Sequence, residues 1–301
     1  MKPTLLVLAA GMGSRYGSLK QLDGIGPNGE TIMDYSVYDA LRAGFGKVVF
    51  VIRHSFEDEF RRQIVGKYEN HIPVEVVFQE IDKVPAGIPY NTERTKPWGT
   101  NHAIQMAADV IHEPFAVINS DDFYGCESYV LLADFLKKAA NSSGRYCMIA
   151  YHVENTLSES GAVNRGVCRV DANRLLTSVV ERTQIECNGG VIQYPAANGL
   201  YETLDKDALV SMNMWGFTPD YFDHSQTLFA EFVQQRGMDP KAEFYIPTVV
   251  DTLIETGKAT CEVIDTPSKW FGVTYADDRP QVVLKINGLI RDGVYPQQLW
   301  K

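Results

Sequence analysis

The chain has 301 residues, 45% of them apolar, enough for one large α/β domain or two modest ones and too apolar for a disordered chain. Acidic residues (38) outnumber Lys and Arg (28) for a formal charge of −10, and no Lys/Arg cluster supplies the basic face that a nucleic-acid binder needs. No apolar run approaches the ~20 residues of a bilayer span, so neither nucleic acid nor membrane is an expected partner.

The first half alternates. Leu5–Ala10 follows Lys2 and has a superficial likeness to a signal peptide. The run is short, however, and enters a Gly-x-Gly-x-Arg loop where a cleavage site would stand, so Thr4–Ala9 reads as a buried strand. Helical apolar spacing over Thr31–Ala43 stops at Gly44. Strands are predicted at Lys47–Ile52, Val74–Phe78 and Phe115–Asn119, and helices at Phe56–Tyr68, Asn101–Ile111 and Tyr129–Ala140. Asp82–Pro97 holds four prolines or glycines and is too long for an ordinary connection, as expected of a lid or side wall. In the second half, Tyr146–His152, Gly166–Val170 and Leu175–Glu181 read as strands. Cys187–Asp205 reads as irregular, Pro219–Arg236 and Ile246–Thr256 as helices, and Val282–Leu299 as a short helix and exit.

Strand–helix alternation implies a doubly wound α/β fold with a mixed, mostly parallel, Rossmann-like sheet and a smaller β-rich substrate-binding subdomain. One domain is expected over 1–280, divided into a nucleotide-binding half (1–145) and a substrate half (146–280), with a helical tail at 281–301. Five scattered cysteines (Cys126, Cys147, Cys168, Cys187, Cys261) without a CxxC pair fit reduced thiols in a cytoplasmic protein and give no zinc pattern.

In open parallel sheets, ligands bind where loops diverge at the carboxyl ends of strands. Three motifs fall there. The first is Gly11-Met12-Gly13-Ser14-Arg15-Tyr16-Gly17, with Lys20 beyond it. It is neither the P-loop nor the dinucleotide fingerprint, because its glycine spacing differs from both. Small residues let backbone N–H groups approach a ligand, and two cations add positive charge, a combination that suits a polyphosphate. A plain turn with surface cations is the alternative. The second is Asn119-Ser120-Asp121-Asp122-Phe123-Tyr124-Gly125, whose carboxylates offer hard oxygens to Mg²⁺. Asp121 is the favoured ligand; Asp122 suits a helix cap or a local hydrogen bond. The third is Pro97-Trp98-Gly99-Thr100-Asn101-His102. There Gly99 permits close approach of a flat ring, Thr100 is a natural cap, and His102 reads as a helix-face residue. Glu181-Arg182 reads as the end of a strand, with an exposed ion pair as its bland alternative. Asn213 beside Trp215 and Phe217 suits a sugar site or plain core packing.

Taken together, these residues resemble the sugar-1-phosphate nucleotidylyltransferases, the nucleotide-sugar pyrophosphorylases. Leu8-Ala9-Ala10-Gly11-Met12-Gly13-Ser14-Arg15 through Lys20 matches that family's opening signature, Gly99-Thr100 its base-contacting turn, and Asp121 its metal-binding aspartate. Glu181-Arg182 is similar to its Glu-Lys pair, and Gly166 and Asn213 occupy positions like those lining its sugar pocket. The likeness is strongest before Gly125. It implies Mg²⁺-dependent attack of a sugar 1-phosphate on the α-phosphate of a nucleoside triphosphate. Arg15, Lys20 and Asp121 would be catalytic. Leu8, Ala9, Ala10, Gly11, Gly13, Ser14, Arg15, Gln79, Gly99 and Thr100 would bind nucleotide, and Gly166, Glu181, Arg182 and Asn213 the second substrate. A homo-oligomer is common in such families. One departure stands out: the family often carries Trp-Phe-Asp-Val-Gly with a second metal-binding aspartate, and here Trp270-Phe271-Gly272-Val273-Thr274 has glycine in that place. Asp265 or Asp277 are candidate replacements, with Asp277 preferred. A phosphocholine-type cytidylyltransferase, a glycosyltransferase of the same fold and a divergent nucleotide sensor are the competing readings.

Overall fold

A computed structural model describes residues 1–11, 24–158, 161–196, 199–272 and 278–300. The elements run in chain order. β1 (Thr4–Leu8) leads to α1 (Ile32–Ala43) and β2 (Lys47–Ile52). A helical stretch then holds α2 (Glu57–Phe60) and α3 (Gly66–Tyr68), followed by β3 (Val74–Phe78), α4 (Thr100–Gln105), β4 (Phe115–Asn119), β5 (Asp122–Phe123) and α5 (Cys126–Lys138). The second half comprises β6 (Arg145–His152), β7 (Val163–Val170), β8 (Leu176–Asn188), β9 (Val191–Pro195), β10 (Tyr201–Leu204), β11 (Leu209–Phe217), α6 (Tyr221–Arg236), α7 (Ile246–Glu255), β12 (Thr260–Thr266), β13 (Phe271–Gly272) and α8 (Arg279–Arg291).

β3, β2, β1 and β4 pair in parallel, and β11 joins antiparallel to β4. The other edge of β11 carries β6, which pairs in parallel with β12. Strand alternation splits the core into two layers. Leu5, Val7, Phe50, Ala116 and Ile118 pack with Met33, Val37, Ile64 and Leu132 on one face. Their neighbours Leu6, Val49, Val51, Phe115 and Val117 pack with Ile104, Phe229, Val249 and Val250 on the other. The expected α/β sheet with helices on both faces is therefore the observed one.

β11 is the branch point of the sheet. Its second half pairs with β4, whereas its first half pairs with β7 (Val210↔Val167, Ser211↔Gly166). Because β6 follows β11 along the opposite edge, β4 and β7 share one edge and part company at the bulge between Ser211 and Trp215. Asn213 sits in that bulge at φ 61°, a left-handed conformation that asparagine tolerates better than most residues. There β7 takes over from β4 as the partner of β11, beside the carboxyl end of β4.

Several elements differ from expectation. The helix expected over Asn101–Ile111 is regular only to Gln105, and Ala107, Ala108 and Val110 continue it as tight turns to carbonyls three residues back. Phe56–Tyr68 is broken by a π-helical turn at Arg61–Val65. Cys187–Asp205, expected to be irregular, is the end of β8, a two-residue hairpin and strands β9 and β10. Gly189 (φ 59°) and Gly190 (φ 84°) supply the paired positive φ angles of a type I′ turn, a strong hairpin signal in Asn-Gly-Gly-Val. β8 also runs straight through Glu181-Arg182 instead of ending there. The tail is no exit: Tyr295 donates to Asp39 Oδ2 (2.6 Å) and Trp300 Nε1 to Asp34 Oδ1 (3.2 Å), docking the chain end on α1. The five cysteines are all unbridged. Among the described residues, no helix is long and apolar enough to cross a membrane.

Candidate active site

Backbone bonds lock the carboxyl edge of the sheet. Ala9 N donates to Val51 O (2.9 Å), Gln79 N to Ile52 O (2.8 Å) and Ser120 N to Leu8 O (3.2 Å). Leu8, Ala9, Ala10, Gln79 and the acidic turn after β4 thus share one rim, and Gly11 is exposed just beyond it. Gly13, Ser14, Arg15 and Lys20, the remainder of the opening motif, lie outside the described residues, as does Asp277.

Gln79 and Gly99 form one unit. Gln79 is buried, and its Nε2 donates to Gly99 O (3.0 Å) and lies 3.2 Å from His102 Nδ1. The other ring nitrogen of His102, Nε2, is 2.7 Å from Lys83 O. Carbonyls only accept, so the proton positions follow: His102 Nε2–H donates to Lys83, His102 Nδ1 accepts from Gln79, and the amide edge of Gln79 is set. His102, read from sequence as a helix-face residue, is a fully buried neutral orienter of Gln79. Thr100 does not cap its own helix; Gly99 holds the cap position, and Thr100 Oγ1 accepts from Ile246 N (3.3 Å) at the start of α7.

Burial pushes the His102 imidazolium down to about 4 from the ordinary 6.5. The unfolded chain therefore binds a proton that the folded one refuses, and stability is full above about pH 6.5 and falls as pH drops toward 4. We expect the protein to be about 2 kcal/mol less stable at pH 5 than at pH 7.5 from this group alone, and His102→Gln to flatten that part of the profile. Urea midpoints at the two pH values measure it; parallel profiles for the two proteins would contradict it.

The acidic turn is held by a chain of amides. Trp215 Nε1 donates to Asn213 Oδ1 (2.9 Å), Asn213 Nδ2 to Asn119 Oδ1 (2.7 Å), and Asn119 Nδ2 to Asp122 Oδ2 (2.8 Å). An indole can only donate, so each amide's orientation follows in turn and the series ends on a carboxylate. Tyr124, also buried, accepts from Asn119 N (3.1 Å) and holds its hydroxyl 3.2 Å from Asp122 Oδ2. Asn213 thus spends both ends of its amide on framing the turn. Burial, and then the adjacent Asp121 carboxylate, push Asp122 up from the usual carboxylate range; Asn119, Tyr124 and Arg165 oppose the shift. Asp121 is exposed at the same turn.

Where β7 meets β11, Gly166 pairs with Glu181 and with Ser211. A Cβ on Gly166 would lie 2.8 Å from Val179 Cγ1, so the three strands pack against bare backbone there. Alternation sends Glu181 and Arg182 to opposite faces: Glu181 faces Gly166, while the Arg182 guanidinium lies over the Tyr194 ring at 4.8 Å. The structure therefore joins Asn213, Asn119 and Asp122 at the acidic turn, places Gly166 and Glu181 on the strands paired beside Ser211, lets the Arg165 charge act on both Asp122 and Glu181, and sets Arg182 on the outer hairpin.

Arg165 was not singled out from sequence. It is buried, donates through Nε to Thr156 Oγ1 (3.1 Å) and through Nη1 to Asn164 O (2.7 Å), and lies over the Trp270 ring at 4.7 Å. Burial lowers its affinity for the proton, yet its charge stabilises both the Asp122 and Glu181 carboxylates. An arginine inside a strand directly before Gly166 was the available signal.

The long Asp82–Pro97 loop is pinned as a wall. Arg94 donates to the carbonyls of Lys96 (2.6 Å), Pro97 (3.0 Å), Asp239 (3.0 Å) and Ala242, with its guanidinium 3.9 Å from the Trp98 ring centre. Asp265, the other late acid considered for metal, is engaged elsewhere: it pairs with Arg174 and lies 4.0 Å from His152.

Residues 5–236 match the nucleotidyl transferase family. No curated protein matches the chain in sequence. Among solved structures, the inositol-1-phosphate CTP transferase from T. maritima is similar at 12% identity and TM-score 0.60, covering 95% of this chain and 96% of that one. A Bacillus anthracis protein provisionally named a glucose-1-phosphate thymidylyltransferase, solved with a sucrose, is similar at 14% identity and TM-score 0.62, covering 96% of this chain and 95% of that one. These likenesses bear on the fold, and the family match on the chemistry. The family model spans most of the chain, including the opening motif, the acidic turn and the β11 switch, and the chain belongs to the nucleotidyl transferase family of enzymes.

Proposed function

We propose that the enzyme joins a nucleoside triphosphate and a sugar 1-phosphate to give a nucleotide sugar and pyrophosphate, with Mg²⁺ as its cofactor. The observation that supports this reading is the junction where β11 leaves β4 for β7, next to the Asn119–Asp122 turn on one side and the Gly166–Glu181 pair on the other. The nucleotide half (1–145) would bind the triphosphate and base, and the substrate half (146–280) the sugar phosphate. Gln79, oriented by His102 and Gly99, would meet the base. Backbone N–H groups from Gly11 onward, with Arg15 and Lys20, would grip the phosphates. Glu181 would face the sugar, with Arg165 behind it as a buried positive charge.

The residues fit Mg²⁺. That ion takes one or two carboxylates and completes its shell with phosphate and water oxygens, so it needs no protein cage. Asp121 supplies a hard oxygen donor at the rim, and the space beside Gly272 is bounded by Asp122 Oδ1, Asp121 O and Trp270 Cζ2, at 3.1, 3.2 and 3.2 Å from where a Cβ would stand. When bound, Mg²⁺ would neutralise phosphate charge as pyrophosphate departs. The acceptor phosphate is already ionised and nucleophilic, so the chain's own work is in-line positioning and charge stabilisation, without a covalent protein intermediate.

The test is a matrix of each nucleoside triphosphate against a panel of sugar 1-phosphates, with inositol 1-phosphate and phosphocholine added, read as pyrophosphate release with Mg²⁺. Release that depends on a sugar 1-phosphate is the expected result. Release only with an alcohol phosphate would move the acceptor class, and nucleotide binding without release would favour a sensor.

A further inference from the structure

β5 and β13 form a two-stranded antiparallel ribbon in which Asp122 stands directly opposite Gly272. Directly opposed residues share one face of a ribbon, their Cβ atoms about 5 Å apart. A carboxylate on either strand at this rung therefore serves the same volume. In this chain Gly272 adds no side chain to the rung, and Asp122 Oδ1 and Trp270 Cζ2 reach to 3.1 and 3.2 Å from the place where a Cβ on Gly272 would stand. Asp122 Oδ2 is the oxygen held by Asn119 and Tyr124, so Oδ1 is the oxygen turned across the rung. Of the late acids, Asp265 is paired with Arg174, and Asp277 lies outside the described residues.

Resting on the metal-dependent reading above, we propose that Asp122 supplies the second carboxylate of the Mg²⁺ site, acting across the β5–β13 rung from Gly272, whose missing side chain makes room for it. Asp122 and Gly272 are then a matched pair. An aspartate at 272 with Asp122 in place would crowd two carboxylates on one rung, and either one alone suffices. The Trp215–Asn213–Asn119 series acquires a purpose in this arrangement: it fixes Oδ2 and so aims Oδ1. Asn119 and Asn213 are positioning residues for the metal, not contacts to substrate.

The experiment titrates Mn²⁺ into the full chain with a non-hydrolysable triphosphate analogue present and reads the free-ion signal by electron paramagnetic resonance. The proteins are wild type, Asp121→Asn, Asp122→Asn, Gly272→Asp and the Asp122→Asn/Gly272→Asp double variant. Asp122→Asn is expected to weaken Mn²⁺ about tenfold or more, in line with the loss of one ligand or its orienter. The double variant is expected to recover most of that loss, which a purely structural role for Asp122 would not produce. Asparagine at 122 still accepts from Asn119, and thermal midpoints identify any variant that does not fold; Asp122→Glu, which keeps the charge and shifts it by one methylene, then stands in. Unchanged Mn²⁺ affinity in Asp122→Asn alongside loss in Asp121→Asn would overturn this assignment and leave the metal-dependent reading intact. No effect in either variant would overturn the metal-dependent reading itself. A double variant as weak as Asp122→Asn would show that the rung is not shared.

Discussion

Arg15→Ala is expected to lower pyrophosphate release at least about a hundredfold while the protein stays folded, because removing one charge-stabilising donor in a water-poor site costs several kcal/mol of barrier. The triphosphate brings concentrated negative charge, and a leaving pyrophosphate accumulates more in the transition state. β1 ends at Leu8, with Ala9 fastened to β2 and Leu8 O accepting from Ser120, so the segment that begins at Gly11 leaves the sheet beside the acidic turn. Arg15 lies outside the described residues, and its role rests on the motif. The core that β1 contributes, Leu5 to Val7, ends well before it, which is why folding should survive. Arg15→Lys should recover only part of the rate, since an ammonium keeps the charge and loses the planar fork. Pyrophosphate release by folded Arg15→Ala protein near the wild-type rate would remove the residue from the mechanism. Far-UV circular dichroism on the same preparation checks the fold.

Gly99→Ala is expected to destabilise the enzyme by about 3 kcal/mol or more and to weaken triphosphate binding with it. Gly99 has φ 107° and ψ 178°, a region essentially reserved for glycine. A Cβ there would stand 2.5 Å from Phe244 O and 2.8 Å from Phe244 N. Neither atom can retreat: Phe244 N donates to Trp98 O (2.6 Å), and Phe244 O accepts from Asn101 N (3.1 Å). Gly99 O is also the acceptor that sets Gln79, so displacement of the turn disturbs the proposed base contact through the 3.0 Å bond from Gln79 Nε2. For a domain of this size a loss of about 3 kcal/mol corresponds to a fall of about 5 °C in Tm. A Gly99→Ala protein with wild-type Tm and wild-type nucleotide affinity would show that the turn is more pliable than its bonding implies.

Much of the fold was legible before any coordinates. The apolar runs at β1, β2 and β4 are continuous because both faces of those strands are buried, whereas the capping box of Thr31 with Asp34 was not read beforehand. The β-rich half was less legible. Its strands β8 to β10 are half exposed, so their apolar pattern is weak, and Cys187–Asp205 passed as a loop despite its Gly-Gly turn. The motif residues stand out because small residues, paired acids and amides cluster at strand ends, where ligands bind in open parallel sheets. Arg165 and His102 were passed over because their roles depend on partners far along the chain: Asp122 for one, Gln79 and Lys83 for the other.

By itself, then, the order of residues determined the alternation of strands and helices, the phosphate-type opening motif and the acidic turn, since each is a local pattern of side-chain size, polarity and backbone freedom. Tertiary structure alone decided which carboxylate meets which strand. Asp122 and Gly272 are 150 positions apart in the chain and become neighbours only through the β5–β13 pairing. The branching of β11 between β4 and β7 likewise has no local signature, because it arises from competition between two partner strands for one edge. That competition sets the junction beside which the proposed chemistry takes place.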